Sequence, residues 1–196
     1  MSVMILSIGG FGATISQLVQ KKVSNLNDTE IKFVFADTDA KALDNIMTDE
    51  KCKIKLSKKS KVIPSNFFDG VKEIFIVAAL GGSTGRKFFV STVQSAVDAG
   101  IPKVNVVAII PFFFEGKRKF SKASDELDDT IAMGINHLEI FSNERFVENT
   151  AYEEDFMERM RTINELITDR IKDLVISDVK SCDGVNIYPP IPGLVT

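Results

Sequence analysis

The chain has 196 residues, is 44% hydrophobic and 26% charged, and carries a net charge of −3; this balance fits one globular domain with a substantial core and excludes a disordered segment. The weakly acidic charge gives no general field for nucleic acid, and no nucleic-acid partner is expected. Two isolated cysteines, Cys52 and Cys182, and one histidine leave no zinc-ligand set and no Cys–His dyad, and they fit a reducing, cytoplasmic setting.

No apolar run approaches the roughly 18 residues that span a bilayer, so a membrane is expected only indirectly. From the N-terminus, VMILSI (3–8) predicts a buried strand, followed by a glycine loop at Gly9, Gly10 and Gly12. ATISQLVQKKV then sets Ile15, Leu18 and Val19 at helical spacing. KFVFADTDA (32–40) predicts a second strand ending in Asp37, Thr38 and Asp39, with Asp39 as the N-cap of a short helix. Lysine-rich residues 49–63 hold Ile54 and Leu56 and read as a short edge strand whose lysines block unwanted pairing; an anionic partner is the functional alternative.

EIFIVAAL (73–80) predicts a third strand, and GGSTGRKF follows it into a helix that stops at Gly100. Residues 104–110 read as a fourth apolar strand, 121–133 as a polar helix and HLEIF as a weaker strand. A long helix over about 152–177 carries Phe156, Met160, Ile163, Ile167, Ile171 and Leu174 as one apolar stripe, which hints at a partner or homodimer. The proline-rich residues 179–196 read as an extended arm or linker outside a domain of 1–178. The alternation predicts an α/β fold: a doubly wound, mostly parallel sheet with helices on both faces.

The stretch AALGGSTGRKF (78–88) holds the most chemistry. Gly81, Gly82 and Gly85 let backbone approach a ligand closely, and Ser83 and Thr84 add hydroxyls beside the unpaired amides of a helix start. That is a phosphate cradle in type. It is not a P-loop, because Arg86, Lys87 and Phe88 follow Gly85 where Lys and Ser/Thr are required. A dinucleotide oxidoreductase of the NAD type is a minor alternative: its GxGxxG could begin at Gly10, but the sixth position is Ile15.

Together these loops resemble the FtsZ/tubulin superfamily of GTP-binding filament proteins, on the FtsZ side. Gly81, Gly82, Thr84 and Gly85 match its signature GGGTGTG. SIGGFGAT is similar to its first loop, with Thr14 where FtsZ has asparagine, and FADTDAKAL to its second, with Asp37 in place of asparagine. PFFFEGKRK (111–119) resembles the segment PFxFEGxxR. The resemblance implies that Glu115 binds the ribose, that Lys119 stands for the family's arginine, and that Asn143 of FSNERF and Asn164 read the guanine edge. Met160 falls where the family sets an aromatic residue against the base.

The resemblance covers roughly residues 3–175 and implies GTP or GDP, with Mg²⁺, as ligand, and a homo-oligomer or filament protein as partner. Three departures go with it. Arg86 and Lys87 replace a small hydroxyl residue and a glycine; SKKSKVIPSN, with Lys58, Lys59 and Lys61, stands where FtsZ has a long glycine-rich γ-phosphate loop; and no NxDFxD-like segment follows residue 176. The expectation is a nucleotide-binding domain acting as a binding module or partner-dependent switch. Hydrolysis would need an acid from a partner or from Asp37, Asp39 or the run Glu153, Glu154 and Asp155. A degenerate scaffold without nucleotide is the alternative.

Overall fold

A computed structural model describes residues 2–24, 30–57, 63–149, 155–176 and 184–188. Apolar runs form strands β1 (Ser2–Ile8), β2 (Glu30–Asp37), β3 (Lys53–Lys55), β4 (Glu73–Ala79), β5 (Lys103–Ile110), β6 (His137–Ser142) and β7 (Gly184–Tyr188). Between them lie helices α1 (Gly9–Val23), α2 (Ala40–Asp44), α3 (Gly85–Asp98), α4 (Lys117–Ala132), α5 (Asn143–Asn149) and α6 (Phe156–Ile176). The strands make one sheet in the order β3-β2-β1-β4-β5-β6-β7, with every pairing parallel.

The central strands are buried on both faces, which is why they read as continuous apolar runs rather than alternating ones. On one face, Phe88, Phe89 and Val93 of α3 and Leu127 of α4 pack with Leu6, Ile76 and Val106. On the other, Ile15 and Val19 of α1 and Ile163, Ile167 and Ile171 of α6 pack with Ile5, Phe75 and Val107. The apolar stripe of α6 is therefore used mainly within the chain, against the expectation of a partner surface. Lys22 of α1 fixes the same pair of helices by bonding Glu165 at 2.6 Å and Asp169 at 2.8 Å.

Several boundaries differ from the sequence expectation. No glycine loop separates β1 from its helix: Gly9 turns the corner with φ +78° and α1 begins there. Gly12 lies inside the helix, where a methyl would come 2.6 Å from the Val77 carbonyl oxygen. The helix of 121–133 starts earlier, at Lys117. Within 179–196, read as an arm outside the domain, Gly184–Tyr188 joins the sheet beside β6. The first residues of the expected helix 152–177, together with Glu153 and Glu154, lie outside the described residues, as do Lys58, Lys59 and Lys61.

The weak strand HLEIF is buried along its whole length as part of β6. Two of its polar residues, His137 and Glu139, pair with each other. The Glu139 carboxylate oxygen Oε1 accepts from His137 Nε2 at 2.6 Å, Arg170 Nε at 3.0 Å and Nη2 at 2.8 Å, and Asn186 Nδ2 at 3.3 Å. One carboxylate thus joins β6, α6 and β7. Burial pushes the Glu139 carboxyl upward, but hydrogen bonds from His137 and Arg170 outweigh it and hold the group below the ordinary carboxylate range.

Candidate functional site

Strand order reverses between β1 and β4, and ligands of open parallel sheets bind beyond the strand C-termini at such a point. Ile8 pairs with Ala78, so the corners after the two strands lie side by side. They touch: a methyl on Gly9 would lie 3.4 Å from Thr84 Cβ. At Gly85 a methyl would overlap the Ala79 carbonyl, so only glycine lets α3 start this close to its strand.

Both α1 and α3 begin without a side-chain cap and without an acidic residue in the first turn. Their positive ends open on one cavity of about 330 Å³, lined among others by Gly9, Gly10, Asp37, Gly82, Ser83, Thr84 and Gly85. The amides of Ser83, Thr84 and Gly85 have no backbone partner among the described residues, whereas Arg86 N and Lys87 N are satisfied by the carbonyls of Gly82 and Thr84. Gly10 has nothing within 4 Å of a built methyl position, so its bare backbone faces open space. Unpaired amides, two helix ends and close backbone approach are the chemistry of an anion cradle.

The two hydroxyls of the signature loop differ. Thr84, buried, donates to Asp37 Oδ1 at 2.8 Å, and its oxygen lies 2.8 Å from the Thr38 hydroxyl, which must then donate to it. Its one proton is thus engaged within the chain. Ser83 is exposed and lines the cavity. Asp37 Oδ1 also accepts from Thr38 N at 2.6 Å and Asp39 N at 3.1 Å, which shapes the turn after β2. Asp39 caps α2 as expected, accepting from Lys41 N and Ala42 N.

A second cavity, of about 410 Å³, shares Phe11, Gly82 and Ser83 with the first and extends past Gly81 to Glu115, Lys119, Asn143 and Met160. Three residues assigned to sugar and base, Glu115, Asn143 and Met160, thus line one space with Lys119. Glu115 accepts from Phe112 N at 3.0 Å and from Lys119 Nζ at 3.1 Å. Asn143 is 7% exposed, yet its Oδ1 has no partner among the described residues. Asn164 stands one helical turn beyond Met160 and also holds a shielded, unpartnered Oδ1, but it does not line the cavity.

Two further expected residues lie apart. Thr14 donates to the Gly10 carbonyl at 3.1 Å and lines a side cavity between α1 and α2, and Gly12 serves the packing of α1 on β4. Arg86 and Lys87 line neither the first nor the second cavity. Arg86 instead acts electrostatically on Glu126 of α4, whose carboxyl burial pushes up to about 7 while Arg86 and Lys122 pull it back.

Phe11 and Thr38 carry roles that the sequence reading left unassigned. Phe11 walls both cavities, and Thr38 bridges the corners after β2 and β4. An aromatic residue between two glycines of a strand-to-helix corner was the available signal for the first. The second depends on a contact across 46 residues of sequence, which no local pattern reveals.

No family model matches the sequence. Solved structures do. CetZ from Methanosaeta thermophila strain DSM 6194 is similar with a TM-score of 0.72 at 17% identity, over 92% of this chain and 56% of that one. An empty FtsZ dimer of M. jannaschii gives 0.71 at 20%, over 89% and 54%. CetZ2 from Haloferax volcanii, in a GTPγS-bound protofilament, gives 0.71 at 18%, over 91% and 61%. The chain spans about half to three-fifths of the length of these structures. Its seven-stranded parallel sheet with helices on both faces shares the fold of these CetZ and FtsZ structures.

Proposed function

We propose that this domain binds a guanine nucleotide, GDP or GTP with Mg²⁺, and works as a nucleotide-binding module or partner-dependent assembly switch. The observation that carries the proposal is the meeting of two uncapped helix N-termini on one cavity that runs on into a second, lined by Glu115, Lys119, Asn143 and Met160. The amides of Ser83, Thr84 and Gly85, the Ser83 hydroxyl and the open backbone at Gly10 would hold the phosphates. Glu115 would meet the ribose and Met160 the face of the base. Asn143 would read the guanine edge, which offers both donors and an acceptor to a side-chain amide.

The unpartnered Asn143 Oδ1 fits that assignment, because a shielded acceptor without a donor is costly unless a ligand supplies one. The fold likeness adds support: one similar protein is described as a GTPγS-bound protofilament and another as a dimer, and assembly with copies of this chain or with a filament protein is proposed by analogy. Asp37 and Asp39 remain as acids on the phosphate side. Titration calorimetry with GTP, GDP, ATP and NAD in the presence of Mg²⁺ tests the reading. It predicts heat with the guanine nucleotides and far weaker binding of ATP and NAD.

A scaffold without nucleotide is the second reading. It is favoured by one specific observation, that Thr84 and both Glu115 carboxylate oxygens already have partners within the chain. Absence of binding by any of the four ligands at millimolar concentration selects it.

A further inference from the structure

The short turn between β5 and α4 exposes aromatic rings rather than burying them. Phe113 is 51% exposed, Phe114 72% and Phe120 38%. The rings make two groups on adjacent residues: Phe113 lies 6.1 Å from Phe120, and Phe114 stacks at 4.8 Å on Phe112, which meets Phe156 at 5.8 Å. Three exposed aromatic rings within eight residues are unlike single surface apolar residues, and they mark an interaction site.

The turn is held in place. Phe113 N donates to Glu144 Oε2 at 3.0 Å and Phe112 N to Glu115 Oε1 at 3.0 Å, so the backbone that presents the rings is fixed at both neighbouring positions. Directly after it, Lys117 and Arg118 open α4, both exposed and neither in an ion pair among the described residues. Cations at a helix N-terminus oppose its dipole. They bring a local positive charge to a chain of net charge −3.

We propose that this aromatic, basic turn is a docking surface for an anionic lipid bilayer. The rings of Phe113, Phe114 and Phe120 enter the headgroup–acyl boundary while Lys117 and Arg118 meet lipid phosphates. Shape favours lipid over an acidic peptide. Phe114 stands nearly three-quarters clear of the protein, so its ring protrudes rather than lying in a groove. A peptide needs a groove or a sheet edge to lie in, whereas a bilayer accepts a protruding tip. The proposal stands independently of nucleotide binding.

Co-sedimentation with vesicles of equimolar phosphatidylcholine and phosphatidylglycerol, against phosphatidylcholine alone, tests it. The protein is expected to pellet with the anionic vesicles and not with the neutral ones. Phe113→Ser with Phe114→Ser is expected to lower partitioning by at least about tenfold. Lys117→Glu with Arg118→Glu should lower it by about tenfold or more and remove its salt dependence. Circular-dichroism melts should show both variants folded, with the Glu variant equal to or slightly above the parent, since all four side chains are exposed and acidic residues suit the start of α4. No binding to anionic vesicles overturns the proposal, as does equal binding by the folded variants. Capture by poly-glutamate in preference to vesicles also overturns it, and assigns the surface to an acidic protein segment.

Discussion

The Thr84 hydroxyl donates to the Asp37 carboxylate over 2.8 Å, joining the corner after β4 to the corner after β2. The bond fixes the signature loop but leaves a carboxylate among the residues that line the proposed phosphate cavity.

Replacing Asp37 with Asn keeps one side-chain oxygen for Thr84, Thr38 N and Asp39 N while removing the negative charge. In EDTA, Asp37→Asn is expected to tighten GDP binding by about tenfold, through relief of charge repulsion with the phosphates. Mg²⁺ should narrow the gap, because a divalent cation screens the same repulsion. Calorimetric titration of both proteins, with and without Mg²⁺, measures this, and weaker binding by the variant in EDTA would place the phosphates elsewhere.

Gly10→Ala separates binding from folding. The added methyl meets nothing within 4 Å, and alanine favours the helix, so the melting temperature should hold or rise slightly. The methyl does project beside the cavity at the start of α1, and GDP affinity should fall by about tenfold as backbone approach is blocked. Gly85→Ala provides the contrast: its methyl would overlap the Ala79 carbonyl and should destabilise the fold itself. Paired thermal melts and titrations distinguish the two outcomes.

The parts legible in the sequence are those with a local signature. Apolar runs with glycine corners gave β1, β4 and the site between them, and PFFFEGKRK placed Glu115 and Lys119 on the rim of the second cavity. Long-range polar contacts were illegible. His137 and Glu139 made β6 look weak because their partners, Arg170 and Asn186, lie 31 and 47 residues from Glu139. The same holds for Arg86, which departs from the signature beside the cradle and acts on Glu126 of the neighbouring helix.

That neighbour provides a pH test. Burial raises the Glu126 carboxyl to about 7 from an ordinary 4.5. A raised folded value means that its contribution to stability is fully present below 4.5 and is lost progressively as pH rises from there through about 7. Glu126→Gln removes the titration. Its melting temperature is therefore expected to match the parent most closely near pH 4 and to exceed it by about 2–4 °C near pH 8. A pH-independent difference would show that Glu126 does not titrate in this range.

Glu139 acts with the opposite sign. Its carboxyl is held below the ordinary 4.5, so the stability it contributes is present above that value and is lost as pH falls. Glu139→Ala takes the shared acceptor from His137, Arg170 and Asn186 in a fully buried position, and urea unfolding should report a loss of about 3–5 kcal/mol. A loss below about 1 kcal/mol would mean that β7 and α6 are held to β6 by other contacts.

The central claim is tested most directly by a crystal structure of the protein grown with GDP and Mg²⁺. The account predicts phosphates over the amides of Ser83, Thr84 and Gly85 beside Gly10, and a guanine whose edge bonds Asn143 and whose face lies on Met160. Nucleotide bound at another place, or both cavities empty at saturating GDP, would contradict it.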